Sequence, residues 1–347
     1  MKYRTLGRTG VKVSRLCLGA MMLGAWGNTD PVECRSIIDA ALDAGINFID
    51  TADVYSDGGS EEIVGRALAG RRDEVVLATK VHGQMGRGEN RSGNSRRWIV
   101  AECENSLRRL GTDWIDLYQV HRPDPSCDID ETLGALSELI RSGKVRYAGS
   151  STFPAEQIVE AQWVAERRGR ERFVCEQPPY SILVRGIEAA VLPTCQTYGM
   201  AVIPWSPLAG GWLSGRYRAG LAPDQLPVSS RIGRMPQRFD PSLPGNRAKL
   251  DVVEALAVLA EEAGMSLIHL ALGFVQSHPA VTSTIIGPRT LDQFESQIGA
   301  ADLVLEGDVL DRIDAIVPPG RTINADDGGW LPTSLTRPWE RRRTPGT

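Results

Sequence analysis

The chain has 347 residues, of which 42% are apolar and 24% charged, and its formal net charge is −4. That balance belongs to an ordinary globular protein. It leaves no footprint for nucleic acid or an anionic membrane surface, and no apolar run approaches the roughly 20 residues a spanning helix needs.

Residues 2–13 hold two short extended runs around Gly7-Arg8-Thr9-Gly10, a hairpin suited to plugging the floor of a barrel. From there short β-branched runs alternate with longer amphipathic stretches. Strands are expected at 16–18, 48–50, 75–79, 115–120, 145–149, 174–177, 201–204 and 283–286. Helices are expected near 32–44, 60–69, 95–109, 131–142, 155–168, 187–198, 248–263 and 266–277. Strands alternating with helices imply parallel pairing through right-handed crossovers. Eight such units in about 300 residues match an α/β (β/α)8 TIM barrel better than an open doubly wound sheet. The first strand is not followed by a Gly-x-Gly-x-x-Gly turn, which also weakens a dinucleotide-fold reading.

Residues 206–247 show no clear helix and are rich in Gly, Pro, Ser and Arg. A loop of that length after a strand end reads as a cofactor or substrate loop. Residues 1–317 are therefore expected to form one barrel. Residues 318–347, with Pro318-Pro319-Gly320, Asp326-Asp327-Gly328-Gly329 and Arg341-Arg342-Arg343, read as a mobile or draped tail. Three arginines on a tail are solvated charge rather than a nucleic-acid site. The six cysteines (17, 34, 103, 127, 175 and 195) form no Cys-x-x-Cys pair, which speaks against zinc or redox motifs and for reduced thiols. With no signal-peptide core at the N-terminus, the cytoplasm is the expected location.

Asp50, Tyr55, Lys80 and His121 each sit at or just past the end of an apolar run. A parallel barrel gathers these strand ends at one face, so four polar groups far apart in sequence can meet around one reacting atom. Reducing a carbonyl needs hydride on carbon and a proton on oxygen. A phenol, with a pKa of about 10, is a poor acid at neutral pH. An ammonium beside it lowers that pKa. Tyr55 next to Lys80 is then the acid, Asp50 holds Lys80 charged, and His121 donates to the carbonyl oxygen. Tyr and His polarise the oxygen themselves, so this scheme requires no metal.

The segments Asp50-Thr51-Ala52-Asp53-Val54-Tyr55, Thr79-Lys80 and Val120-His121 resemble the catalytic tetrad segments of the aldo-keto reductases. The opening Tyr3-Arg4-Thr5-Leu6-Gly7-Arg8-Thr9-Gly10 and Cys17-Leu18-Gly19 look like the bacterial branch of that family. The resemblance implies a nicotinamide cofactor, with Ser151 and Gln177 gripping its carboxamide; Thr152 stands where the family usually has Asn. Pro204-Trp205-Ser206-Pro207-Leu208-Ala209-Gly210-Gly211 resembles the aromatic-Ser-Pro-Leu segment, which implies that Trp205 stacks on the nicotinamide and that Ser206, Pro207, Leu208 and Gly210 lie along the cofactor. In the same resemblance, Arg216 of Leu213-Ser214-Gly215-Arg216-Tyr217 approaches the pyrophosphate. A helix N-terminus with Arg289 and Thr290, following Gly287, makes a good phosphate site. The resemblance implies the 2′-phosphate of NADPH there, with Gln293 and Gln297 on the adenosine half; Ser296-Gln297 replaces the usual acidic-Asn pair. NADPH is expected over NADH.

Met21, Met22 and Trp26 after strand one, His82 after strand three, and Trp212 in the long loop are candidates for the substrate wall. Met and Trp suit aldehydes or ketones with a bulky group, while Arg231 and Arg234 read as solvated loop residues. The expected partner is a small-molecule carbonyl, without nucleic acid or membrane; the oligomeric state stays open. Two alternatives remain: a regulatory cofactor-binding subunit of the potassium-channel β type, implied by the same resemblance, and an aldolase using Lys80 as a Schiff-base nucleophile.

Overall fold

The computed structural model describes residues 1–218 and 235–342; Arg231 and Arg234 lie outside them. Two short strands, β1 (Tyr3–Thr5) and β2 (Lys12–Ser14), form an antiparallel hairpin. Leu6 and Val13 from this hairpin join Cys17, Phe48, Ala78, Leu117, Cys175, Ala201, Ile203 and Ile285 in one buried cluster inside the barrel. The hairpin is therefore the plug of the barrel floor. Gly7 makes its turn at φ +55, and a Cβ there would fall 2.8 Å from Val174 O and 3.0 Å from Ala201 N. Both are backbone atoms that cannot swing aside. Gly7→Ala is expected to destabilise the fold by about 2 kcal/mol; an unchanged midpoint in thermal melting would contradict the close approach.

Eight parallel strands follow: β3 (Leu16–Gly19), β4 (Phe48–Asp50), β5 (Val76–Val81), β6 (Ile115–Val120), β7 (Val145–Ser151), β8 (Phe173–Gln177), β9 (Ala201–Val202) and β10 (Thr284–Ile286). They are hydrogen-bonded in the order β10-β3-β4-β5-β6-β7-β8-β9. A parallel bridge from Val202 to Val281, with Ile285 N donating to Pro204 O at 3.0 Å, closes β9 onto β10. β9 stops at Val202, short of the expected 204, because Pro204 has no N–H to give a ladder.

Helices Pro31–Asp43, Gly59–Ala67, Arg96–Leu110, Ile129–Arg141, Ala155–Arg168 and Val191–Tyr198 connect successive strands from β3 to β9. Their starts are chemically marked. Asp30, ahead of Pro31, accepts from Val32 N and Glu33 N, and Ser95 and Asp128 cap the third and fourth in the same way.

The one-to-one rhythm breaks at the end. Two long helices, Pro244–Glu262 and Leu267–Ser277, both lie between β9 and β10. The last helix of the barrel is instead Leu291–Ile298, followed by Gly307–Ile316. With only eight residues and an apolar pattern of Leu291, Phe294 and Ile298, Leu291–Ile298 carries too little periodicity to stand out. The segment 206–247 also contains a 3-10 turn, Ala209–Ser214, and a short helix, Pro236–Phe239, where none was expected. The turn depends on Gly210 and Gly211 at φ +72 and +111. Among the described residues no single helix is long and apolar enough to cross a membrane.

The stretch after residue 317 packs on the barrel through the site-facing loops. Ile323 N donates to Leu183 O, Asn324 bonds Asn246, and Asp327 pairs with Arg238 and Lys249.

Candidate active site

β4 ends on Asp50, and β5 presents Lys80 one residue before its end, so both side chains enter the mouth of the barrel. The Lys80 ammonium is completely buried. It donates to Asp50 Oδ2 at 2.6 Å, to Thr51 O at 2.8 Å and to Tyr55 Oη at 3.2 Å. Tyr55 begins a short turn that reaches the mouth with Ser56 and Asp57 at positive φ. The His121 ring meets the Tyr55 ring edge-on, with centroids 5.8 Å apart. The four expected residues therefore converge, with Tyr55 and His121 partly exposed at the open end and Lys80 and Asp50 beneath them.

The charges are set by burial and by pairing. Burial opposes charge on Lys80, but Asp50 and Tyr55 outweigh it and hold the ammonium above the ordinary lysine range. For Tyr55 burial dominates. It raises the phenol, Lys80 pulls it back, Asp50 raises it, and the net direction is upward. This corrects the expectation that the ammonium alone would lower the Tyr55 pKa. His121 is driven well below the usual imidazole range, by burial first and then by Arg122, Lys80 and His82, so its ring is neutral at physiological pH.

Two supports were not visible in the sequence. Gln119 and Gln177 both donate to Asp50 Oδ1, at 3.0 and 2.8 Å, leaving Oδ2 for Lys80. Behind Lys80, Thr79 Oγ1 donates to Glu61 Oε1 at 2.5 Å. Arg109 then bridges Glu61 and Glu102 at 2.6 and 2.5 Å. Glu61 and Glu102 are fully buried, and the network ties the helix Arg96–Leu110 to the strand that carries Lys80.

Ser151 and Gln177, expected at the carboxamide, end β7 and β8 at this mouth. Ser151 Oγ donates to Gln177 O, and Gln177 Nε2 is engaged by Asp50 and by Gln119 Oε1. Thr152 has φ +61, a left-handed conformation that suits Asn better than a β-branched residue. It is held there by its own N–H to Gln177 O at 3.1 Å and by Arg122 Nη1 donating to Thr152 Oγ1 at 3.1 Å. Glu176 braces the loop from below. It accepts from Ser150 Oγ and Phe153 N, and burial pushes its carboxyl up to about 7 against those bonds.

Trp205 is half-buried beside this loop, and its Nε1 has no partner among the described residues. Ser206 and Ala209 turn at positive φ, carrying Pro207, Leu208 and Gly210 past it. Arg216 is exposed and folds back over the turn, Nε donating to Ser214 Oγ.

At the other end, Thr290 caps the helix Leu291–Ile298 by accepting from Gln293 N, while Gln293 Oε1 accepts from Arg289 N at 2.9 Å. Arg289, just past Gly287, has no carboxylate within 4 Å of its guanidinium among the described residues. Gln297 is buried and donates back to Gln293 O, so its amide nitrogen faces its own helix. A half-exposed indole beside amide and hydroxyl groups, joined by the barrel mouth to an uncompensated arginine at a helix start, fits a nicotinamide dinucleotide.

Of the substrate candidates, Trp26 stands 5.9 Å from the Tyr55 ring, and His82 bonds Asn94 at 2.9 Å while its field reaches His121. Met21 is partly exposed in the loop after β3, and Met22 is buried. Trp212 is a correction. It is fully buried, stacked on Tyr217 at 4.4 Å, with Nε1 donating to Arg238 O, so it is core rather than pocket wall. The C-terminal stretch supplies what the sequence did not suggest. A Cβ on Gly329 would fall 2.6 Å from Thr152 Cγ2 and 3.3 Å from Trp205 Cζ2, so this backbone lies directly against the loop after β7 and against Trp205.

With this geometry in place, the comparisons are specific. The sequence profile of the Aldo/keto reductase family matches residues 15–318. The chain is 38% identical to a probable voltage-gated potassium channel subunit beta of Oryza sativa subsp. japonica over 335 residues, covering 93% of this chain and 99% of that one. It is 39% identical to the uncharacterized oxidoreductase YrpG of Bacillus subtilis (strain 168) over 333 residues, covering 92% and 97%. It is 31% identical to the L-glyceraldehyde 3-phosphate reductase of Escherichia coli (strain K12) over 334 residues, covering 92% and 93%.

Proposed function

The chain belongs to the aldo/keto reductase family, and from that premise we propose that it reduces an aldehyde or ketone to the alcohol with NADPH, Tyr55 giving the proton. The observation that carries this reading is the Lys80 ammonium held between Asp50 Oδ2 at 2.6 Å and Tyr55 Oη at 3.2 Å, at the open end of the strands. When bound, NADPH supplies the hydride. Tyr55 donates its phenolic proton to the carbonyl oxygen, and the neutral His121 ring donates a hydrogen bond that orients that oxygen. Lys80 stabilises the phenolate that remains. Ser151, Thr152 and Gln177 would hold the carboxamide, Trp205 the nicotinamide face, Arg216 the pyrophosphate, and Arg289 with Thr290 the 2′-phosphate. Trp26, Met21 and His82 border the carbonyl side. The cytoplasm, with its reduced thiols, suits a chain whose six cysteines are all unpaired.

Lys80 as a Schiff-base nucleophile is disfavoured, because an ammonium held charged by two partners offers no free amine. A second reading, a regulatory subunit, draws on the plant relative named as a probable potassium channel subunit beta. It keeps the cofactor site and predicts tight nucleotide binding with very slow turnover.

The cofactor assignment is tested by tryptophan-fluorescence titration with NADPH and NADH. Arg289→Ala is expected to weaken NADPH by about 10- to 100-fold while NADH changes little, because one charge-assisted contact is lost only for the phosphate. Equal losses for both nucleotides would remove Arg289 from the 2′-phosphate.

A further inference from the structure

Arg122 follows His121 directly and is partly buried, yet it has no carboxylate partner among the described residues. Its Nη1 donates to His121 O at 2.6 Å and to Thr152 Oγ1 at 3.1 Å, both neutral acceptors. Among the described residues no Asp or Glu oxygen lies within 4 Å of its nitrogens, and Nε and Nη2 make no hydrogen bond. Three other positive groups nearby are compensated. Lys80 has Asp50, and Arg238 and Lys249 share Asp327. The carboxylate whose field does reach Arg122 is Glu176, which is occupied below the loop by Ser150 Oγ and Phe153 N.

Anchoring His121 and the loop after β7 accounts for one guanidinium nitrogen. It does not account for an arginine, since a guanidinium drawn out of water without a counter-charge is costly. Burial already pulls Arg122 below its ordinary range, and Tyr55 and Glu176 are the acidic groups near enough to couple to it. The guanidinium thus sits near the proton-donating phenol, with two nitrogens that have no partner among the described residues available for a forked contact.

We infer that Arg122 is the receptor for an anionic group, carboxylate or phosphate, carried by the carbonyl substrate a few bonds from the reacting carbon. The inference rests on the reductase reading and deepens it by naming the substrate class. Arg122 offers two parallel N–H donors to two oxygens of the anion, while Tyr55 and His121 take the carbonyl oxygen. The reaction itself is unaltered, with hydride arriving on carbon and the Tyr55 proton on oxygen.

The test compares matched pairs on the full chain with NADPH: succinic semialdehyde against butanal for a carboxylate, and glyceraldehyde 3-phosphate against glyceraldehyde for a phosphate. The ratio of kcat/KM for the anionic to the neutral member is expected to exceed about 10 in at least one pair. It should fall by about 10- to 100-fold in Arg122→Met, the scale of one charge-assisted contact. Whichever pair shows the larger ratio identifies the anion. Arg122→Lys keeps the charge without the fork and is expected to retain part of the preference, which guards against a misfolded Met variant. A readout free of catalysis is thermal melting with succinate or inorganic phosphate, each expected to raise the midpoint of the wild type more than that of Arg122→Met. Ratios near one in the wild type, or a ratio unchanged by Arg122→Met, would overturn the inference while leaving the reductase intact. Failure to reduce any of the four compounds together with failure to bind NADPH would remove the reductase reading, and this inference with it.

Discussion

Tyr55→Phe is expected to lower kcat for carbonyl reduction by about 1,000-fold, within the range a positioned general acid contributes, while NADPH affinity stays near that of the wild type. The substitution removes one oxygen that touches Lys80 Nζ at 3.2 Å and leaves the ring packed between Trp26 and His121. Stability should therefore change little, since Lys80 keeps Asp50 and the Thr51 carbonyl. The pH profile gives an independent check. Burial, only partly offset by Lys80, holds the Tyr55 pKa above its ordinary value. Reduction consumes the protonated phenol, so a raised pKa keeps the acid available and activity is lost only as pH rises through it. The wild-type kcat/KM is thus expected to be flat from about pH 6 to about pH 9 and to fall above about 10. His121 adds no step near neutrality, because its lowered pKa keeps it neutral there. Activity in Tyr55→Phe close to that of the wild type would contradict the acid assignment.

Lys80→Met is expected to lower kcat by about 100-fold or more and also to destabilise the protein. The methionine carries no charge to stabilise the Tyr55 phenolate, so burial and Asp50, which raise the phenol's pKa, are opposed only by the weaker effect of Arg122. Removing one partner of a fully buried ion pair costs about 3–5 kcal/mol. Here Gln119 and Gln177 still donate to Asp50 Oδ1, which places the loss near the lower end of that range. The double variant Asp50→Asn with Lys80→Met separates the two effects. It should recover much of the stability, because no buried carboxylate is left unpaired, and none of the activity. Recovery of activity in the double variant would show that Lys80 acts only as a structural counter-ion.

The barrel was legible because its strands are short β-branched runs with amphipathic helices between them, and Phe48–Asp50 and Ile115–Val120 were found to the residue. The tetrad was legible because a parallel barrel turns strand-end position into spatial neighbourhood, so Asp50, Lys80 and His121 needed no contact information to be grouped. Other features depend on side chains whose role follows only from three-dimensional pairing. Gln119 is one residue among many polar ones in a strand, and its significance lies in the 3.0 Å bond to Asp50. Glu61, Arg109 and Glu102 are spread over two helices and meet only when the helices dock. Trp212 read as a loop aromatic, whereas the 3-10 turn formed by Gly210 and Gly211 tucks it into the core. The opposite sign for Tyr55 has the same origin: the neighbouring charge could be read from the sequence, but the degree of burial could not. Gly329 against Thr152 and Trp205 is a contact 177 residues from one partner, beyond any local pattern.

The most direct measurement is a single-turnover reaction of the purified protein with NADPH deuterated on the transferable face of nicotinamide C4 and a panel of aldehydes and ketones that includes the anionic pairs, with mass analysis of the products. The predicted result is an alcohol bearing the deuterium on its carbinol carbon with the wild type, and essentially none with Tyr55→Phe under conditions where that variant binds NADPH normally. Normal NADPH binding by the wild type with no deuterated alcohol from any member of the panel would contradict the reductase assignment and leave the regulatory cofactor-binding role as the reading that fits.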